Sequence, residues 1–161
     1  MFGFHKKNKE IKILAPMDGK LIDLTEVPDQ VFSQKMVGEG VAIVPEKGKV
    51  VSPIDGKVVQ IFPTNHAIGI LSKDGLEVLI HVGIDTVELK GQGFKRLVEV
   101  NSEIRVGDEL LEVDLEYIKS KGKQIITPII ITNGESVKEY IKMSGKVKAG
   151  KDLAIELVLK K

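Results

Sequence analysis

The residues with the clearest chemical potential are two histidines, His66 and His81. They lie in residues 62–87, which are typical of two apolar β-strands joined by a turn at residues 72–75. A hairpin loop of two or four residues would place His66 directly opposite His81, with Cβ atoms about 5 Å apart. A type I′ turn at Asp74-Gly75 would make them diagonal neighbours, and only an odd-length loop would send them to opposite faces. The pattern therefore predicts that the two imidazoles lie together.

Two close imidazoles cannot both be cations without repelling each other, so at least one should be neutral near pH 7. A neutral imidazole can act as a nucleophile, a base or a metal ligand, while its neighbour donates a hydrogen bond to an anion. Phosphoryl acceptance, general base chemistry and zinc binding all remain open at this point. So does a pair of histidines packed in a sheet without chemistry.

Composition limits the classes of protein. The 161 residues are enough for one domain with a substantial core, and the absence of tryptophan leaves Ile, Val and Leu to build it. The 24 basic and 23 acidic side chains argue against a nucleic-acid-binding protein. There is no cysteine for a disulfide, a thiol nucleophile or a thiolate zinc site. No apolar run has the length of a signal peptide core or of a membrane span.

Short β-rich runs separated by Gly and Pro predict an all-β fold, an antiparallel β-sandwich or barrel-sandwich. Helical patterning is limited to single turns near residues 30–35 and 115–120. The predicted strands are residues 11–15, 19–23, 40–44, 48–52, 56–62, 67–71, 76–82, 94–99, 109–113, 125–132, 144–148 and 153–159.

An internal repeat supports this architecture. Residues 12–24, KILAPMDGKLIDL, align without gaps on residues 49–61, KVVSPIDGKVVQI. A weaker pair is VGDELLE at 106–112 and AGKDLAI at 149–155. Proline fixes φ and Asp-Gly forms a tight turn, so each Pro-X-Asp-Gly unit is predicted to be a corner between two strands. We interpret the duplication as scaffold without a chemical role.

The residues around His81 carry a family resemblance. Residues 75–87 read GLEVLIHVGIDTV, residues 88–94 read ELKGQGF, and Thr64 and Asn65 directly precede His66. These runs resemble the signature of the glucose-type enzyme IIA proteins of the bacterial phosphoenolpyruvate-dependent sugar phosphotransferase system. The resemblance extends from Ile13 to about Ile131, and it implies a duplicated barrel-sandwich.

The resemblance also implies roles for site residues. His81 would accept the phosphoryl group, with its second ring nitrogen held by the carbonyl of Gly83. His66 would stabilise the phosphate, and Thr64 would orient the His66 ring. Asp85 belongs to the family's site pattern, although a carboxylate beside a phosphate would be repulsive, so a turn carboxylate is the competing interpretation.

A hydrophobic rim around the site is expected to exclude water and to dock protein partners. By resemblance the donor would be HPr and the acceptor a cysteine of a sugar-specific IIB domain, with no cofactor and with possible regulatory binding to other proteins. Ile68, Leu79 and Val82 stand where phenylalanines are common in the family. The residues assigned to partner binding are Val31, Phe32, Met36, Val37, Phe62, Ile68, Leu79 and Val87.

Two other interpretations compete with this one. Barrel-sandwich zinc hydrolases also place histidines on neighbouring strands, but catalytic zinc usually needs three protein ligands. Ile141-Lys142-Met143 weakly resembles the Met-Lys-Met hairpin of biotinyl carrier domains.

The expected organisation is a flexible N-terminal tail, residues 1–10, followed by a single enzyme IIA domain, residues 11–161. His5 falls in this tail and is given no role. We expect a free-standing cytoplasmic monomer that approaches the membrane only through its permease. The sugar is not specified by the sequence.

Overall fold

The computed structural model describes residues 9–160, and their regular structure is almost entirely β. Two short helices are present in this part of the chain, α1 (Gln30–Ser33) and α2 (Leu115–Ser120). The strands are β1 (Glu10–Leu14), β2 (Gly19–Asp23), β3 (Glu39–Pro45), β4 (Lys49–Val51), β5 (Gly56–Ile61), β6 (Ala67–Ser72), β7 (Glu77–His81), β8 (Phe94–Arg96), β9 (Glu103–Ile104), β10 (Glu109–Val113), β11 (Thr127–Ile131), β12 (Val137–Lys142), β13 (Gly145–Val147) and β14 (Leu153–Leu159).

The strands form three antiparallel sheets packed as a sandwich, which confirms the predicted fold class. The largest sheet has the order β13-β2-β3-β11-β7-β6-β5-β9. The two smaller sheets have the orders β1-β14-β12 and β4-β10-β8. Along the described chain, no helix is long and apolar enough to cross a membrane.

The large sheet is buried on both faces near its centre. On β11, Ile129 and Ile131 point into the main aliphatic core, whereas Ile130 joins a smaller cluster on the other face. The smaller cluster contains Leu24 and Phe32 from the segment that carries α1. Alternation of side chains along β-strands therefore creates two apolar layers, and the smaller one lies on the side where the histidines meet.

The predicted repeat forms two equivalent corners. β1 and β2 belong to different sheets, as do β4 and β5, so each corner carries the chain from one sheet to another. The two copies also bind each other symmetrically. The N–H of Leu14 donates to the carbonyl of Pro53 at 2.9 Å, and the N–H of Val51 donates to the carbonyl of Pro16 at 2.8 Å.

The weaker repeat completes this arrangement. Asp18 accepts the N–H of Ala149 at 2.8 Å, and its counterpart Asp55 accepts the N–H of Val106 at 2.9 Å. Equivalent residues of the Pro-X-Asp-Gly repeat therefore bind equivalent residues of the weaker repeat. The duplication is a property of the scaffold, and neither copy contains a histidine of the pair.

The predicted register of the β6–β7 hairpin is wrong. Ala67, not His66, pairs with His81, because the loop Lys73–Gly75 has three residues. Gly75 has φ +87°, and its N–H donates to the carbonyl of Ser72 at 3.0 Å. A turn followed by a left-handed glycine is the common way to build a three-residue hairpin loop. In a regular ladder this register would send the two histidines to opposite faces.

The other differences are small. The predicted strand ends lie within three residues of the observed ones, but β9 and β12 were not predicted. β12 reads VKEYIK, in which charged residues interrupt the alternation. Most of the predicted N-terminal tail lies outside the described residues, and Glu10, assigned to that tail, is instead the first residue of β1.

Candidate active site

His81 is the last residue of β7, and the pleat of that strand determines where its ring points. Leu79, two residues earlier, packs against the smaller apolar cluster, and His81 faces the same side. The His81 ring is half-buried and lies 4.9 Å from the Phe32 ring, centroid to centroid. Phe32 comes from α1, whose first turn is capped by Asp29 through the N–H of Val31 at 2.8 Å.

His66 reaches His81 because it lies in a turn and not in a strand. Residues 62–66 connect β5 to β6, and Asn65 adopts a left-handed conformation with φ +59°. The N–H of Asn65 donates to the carbonyl of Phe62 at 2.7 Å, which closes the turn. The His66 and His81 ring centroids are 4.9 Å apart, with the rings nearly perpendicular at 82°. The predicted proximity is therefore present although the predicted register is wrong.

Each histidine has its Nδ1 atom engaged. The Nδ1 atom of His81 lies 2.9 Å from the carbonyl oxygen of Gly83. A carbonyl oxygen only accepts, so this nitrogen carries the proton and Nε2 of neutral His81 keeps its lone pair. The Nδ1 atom of His66 lies 2.5 Å from the hydroxyl of Thr64. When that hydroxyl donates, the proton of neutral His66 is on Nε2, which becomes a donor.

Burial keeps both rings neutral near pH 7. His66 is only 3% exposed, and its pKa is lowered to about 4 by burial and by the proximity of His81. The pKa of His81 is also lowered by burial, although its hydrogen bond to Gly83 and the carboxylates of Asp29 and Asp85 act in the opposite direction. Neutral His81 provides a nucleophilic nitrogen, and neutral His66 can supply a donor beside it.

The low pKa of His66 predicts a pH-dependent stability. In the unfolded chain a histidine titrates near 6.5, so acid favours unfolding as the pH falls from about 6.5 towards about 4. Above the unfolded pKa His66 is neutral in both states and acid does not reduce the stability. Below the folded pKa the reduction in free energy of unfolding is at most about 3 kcal/mol. Urea unfolding across this range should give a flatter profile for His66→Gln than for the wild-type protein. Parallel profiles for the two proteins would contradict this assignment.

The two nearby carboxylates belong to different elements. Asp85 is exposed, has φ +59° and precedes a 3₁₀ turn that its side chain does not cap. Asp29, which caps α1, was not predicted as a site residue, yet its effect on the pKa of His81 exceeds that of Asp85. Asp29 is far from both histidines in sequence, and only the fold brings it near His81. The sequence feature that could have identified Asp29 is its position as an acidic N-cap before the Val31-Phe32 segment.

The predicted rim divides into exposed and buried residues. Val31, Met36 and Val87 are 42%, 69% and 53% exposed. Val37, Phe62 and Leu79 are partly buried, and Phe62 lies 5.3 Å from the His66 ring, centroid to centroid.

Two rim assignments change with burial. Ile68 is wrong as a partner contact because it is 0% exposed and lies in the main core, opposite Ile80 on β7. Phe32 is also buried, and it acts as the packing surface for His81.

Neither competing interpretation matches the described residues. Within residues 9–160 there is no group of three His, Asp or Glu side chains placed to hold a metal ion. Lys142, the lysine of the weak biotinyl resemblance, ends β12, and its Nζ atom lies 2.5 Å from Glu39. It is not presented at a hairpin tip as a carrier lysine would be.

Comparison with known proteins supports one family. A family model described as phosphoenolpyruvate-dependent sugar phosphotransferase system, EIIA 1, matches residues 11–137. The chain is 52% identical over 136 residues to the PTS system glucose-specific EIIA component of Staphylococcus epidermidis, covering 84% of this chain and 82% of that protein. It is 45% identical over 159 residues to the corresponding component of Haemophilus influenzae, covering 98% and 95% of the two chains.

A longer relative and a solved structure agree. The chain is 54% identical over 143 residues to the PTS system glucoside-specific EIICBA component of Staphylococcus carnosus, but the match covers only 21% of that protein's length. The solved structure of glucose permease IIA from Mycoplasma capricolum superposes with a TM-score of 0.85 at 43% identity, covering 92% of this chain and 96% of that one. The chain therefore belongs to the EIIA 1 family of the phosphoenolpyruvate-dependent sugar phosphotransferase system.

Proposed function

We propose that this protein takes a phosphoryl group from the phosphohistidine of HPr onto Nε2 of His81 and passes it to a cysteine of a sugar-specific IIB domain. Its family makes it a phosphocarrier of the sugar phosphotransferase system. The identity of the accepting atom, its supporting residues and its partners are the parts that we propose here.

The observation that carries the proposal is the pair of perpendicular imidazoles whose Nδ1 atoms are both engaged. In the first step the phosphorus–nitrogen bond of HPr breaks as a bond forms to Nε2 of His81. The imidazole of HPr leaves with the electron pair of the broken bond. The hydrogen bond from Nδ1 of His81 to Gly83 spreads the positive charge that the ring gains.

His66 would hold the transferred group. Its ring is 4.9 Å from that of His81, close enough for Nε2–H to donate to a phosphoryl oxygen. Because His66 is neutral near pH 7, it needs no proton from solvent to act as this donor. A donor fixed in advance in a water-poor site is an effective way to stabilise developing negative charge. Thr64 would fix the required tautomer through its hydroxyl.

The exposed apolar side chains would serve both partners in turn. Val31, Met36 and Val87 are exposed. In this proposal they form the rim of the site, from which a docked partner would exclude water from the phosphoryl group. A small shared surface suits proteins that must bind and leave quickly. We also propose that the protein is monomeric, works in the cytoplasm and can bind regulatory targets in one phosphorylation state.

Reconstitution of the relay tests the proposed function. Purified phospho-HPr should transfer one phosphoryl group to this protein, and adding IIB domains should remove it. The relatives make glucose-specific and glucoside-specific IIB domains the informative pair to compare. Failure to accept from phospho-HPr would overturn the donor assignment. Acceptance without delivery to either IIB domain would overturn the proposed acceptors.

A further inference from the structure

A buried threonine next to the site has no part in the function proposed above. The Thr86 side chain is 0% exposed, and its hydroxyl donates a 2.6 Å hydrogen bond to the carbonyl of Val82. Thr86 begins the 3₁₀ turn Thr86–Leu89, directly after the left-handed residue Asp85. The hydroxyl bond therefore ties the start of this turn back to the residue that follows His81.

Val82, which Thr86 binds, and the adjacent Gly83 each form a hydrogen bond with one of the two histidines. The N–H of Val82 donates to the carbonyl of His66 at 2.7 Å. The carbonyl of the next residue, Gly83, accepts from the His81 ring at 2.9 Å. The adjacent residues Val82 and Gly83 thus bind the main chain of one histidine and the ring of the other.

The Gly83 carbonyl is supported from both sides. On one side, the N–H of Ile84, which belongs to the same peptide group, donates to the carbonyl of Gln124 at 3.0 Å. On the other side, Thr86 holds the preceding carbonyl, that of Val82. Gly83 itself has φ +79°, and glycine adopts positive φ about as readily as negative φ, so its own backbone preference does not select this conformation. The surrounding contacts must therefore supply the orientation.

The methyl group of Thr86 adds a second constraint. A Cβ atom built on Gly83 would lie 2.5 Å from Cγ2 of Thr86 and 2.8 Å from the carbonyl oxygen of Gln124. Gly83 is consequently confined between the threonine methyl and a backbone carbonyl. The two functional parts of the Thr86 side chain can be separated experimentally, because serine keeps the hydroxyl and valine keeps the methyl.

We propose that Thr86 is a positioning residue for phosphoryl transfer, which holds the Val82–Gly83 segment so that the Gly83 carbonyl keeps the proton of His81 on Nδ1. The Nε2 atom then faces the incoming phosphoryl group with a free lone pair. This inference rests on the proposed role of His81 as the acceptor. It assigns to Thr86 no contact with the phosphoryl group.

The test compares Thr86→Val and Thr86→Ser with a matched control, Thr127→Val. Thr127 is also fully buried, and its hydroxyl also donates to a backbone carbonyl, that of Ile125 at 3.0 Å. Two quantities are measured for each protein. Nitrogen-15 NMR of the unphosphorylated protein reports which ring nitrogen of His81 carries the proton, and a rapid-mixing assay reports the rate of acceptance from phospho-HPr.

The wild-type protein and Thr86→Ser should show His81 protonated at Nδ1. Thr86→Val should show a mixture of tautomers and accept the phosphoryl group about tenfold more slowly. Thr127→Val should keep the wild-type tautomer and rate even where urea unfolding shows it to be less stable. Should Thr86→Val fail to fold, Thr86→Cys, whose thiol is only a weak donor, makes the same comparison.

Failure of this inference is distinguishable from failure of the proposed function. A wild-type protein that accepts no phosphoryl group from phospho-HPr contradicts the proposed function. A wild-type protein that accepts normally, together with a Thr86→Val protein that has the wild-type tautomer and a rate within about twofold, overturns the inference alone. The tautomer is measured in the isolated protein, so that result does not depend on any partner.

Discussion

Replacing His81 with glutamine should abolish phosphoryl acceptance while leaving the fold intact. Glutamine has a similar reach, but its amide nitrogen has no available lone pair, so no phosphorus–nitrogen bond can form. His81 is half-buried at the end of β7 and is not part of either apolar core, so its replacement should cost little stability. We expect no detectable acid-labile phosphate after incubation with phospho-HPr.

The matched control for this experiment is Lys57→Gln. Lys57 is exposed and lies on β5 of the same sheet, at the end opposite the turn that carries His66. The Lys57→Gln protein should accept the phosphoryl group at the wild-type rate. Acid-labile phosphate on the His81→Gln protein would show that another residue is the acceptor, with His66 the first to test, and would reverse the assigned roles.

The histidine pair shows what could be predicted from the sequence. Residue type and the family resemblance were sufficient to bring His66 and His81 together, but the geometric route was wrong. An added residue in a hairpin loop changes the register by one position, and local turn preferences decide between loops of two and three residues. The left-handed Asn65 then turns His66 out of the strand pattern and restores the contact.

Burial was the second property of the site that the sequence did not predict. Ile68 and Leu79 are equally apolar in the sequence. A sheet that is buried on both faces gives no sequence signal for which face is open to a partner. Ile68 points into the main core, whereas Leu79 faces the smaller cluster beside the histidines.

Asp29 and Thr86 were missed for another reason. Their influence on His81 acts through an adjacent helix and through backbone carbonyls, and such effects appear only in three dimensions.

Replacing His66 with glutamine should separate the two halves of the relay. His81 would still accept, because its nucleophilic nitrogen and its bond to Gly83 are unchanged. Delivery is different, because an attacking thiolate brings a second negative charge towards the phosphoryl oxygens. Loss of the positioned Nε2–H donor should therefore slow delivery to a IIB domain by roughly a hundredfold or more.

Thr64→Val provides a finer version of the same experiment. Valine has nearly the shape of threonine but cannot donate to Nδ1 of His66, so the ring can adopt either tautomer. Delivery should then slow by a smaller factor than in His66→Gln, about tenfold, because part of the population keeps the donor towards the phosphate. Thr132→Val is the control, since that hydroxyl binds Glu77 at the far end of β7.

Single-turnover rates of loading and unloading distinguish the possible outcomes. Loading near the wild-type rate with slow unloading in His66→Gln, and an intermediate rate in Thr64→Val, is the expected order. Wild-type unloading by His66→Gln would show that the phosphoryl group does not depend on the second histidine. Equal loss of loading and unloading would instead place His66 in the folding of the site, since a donor that acts on transition-state charge should affect the thiolate step more strongly.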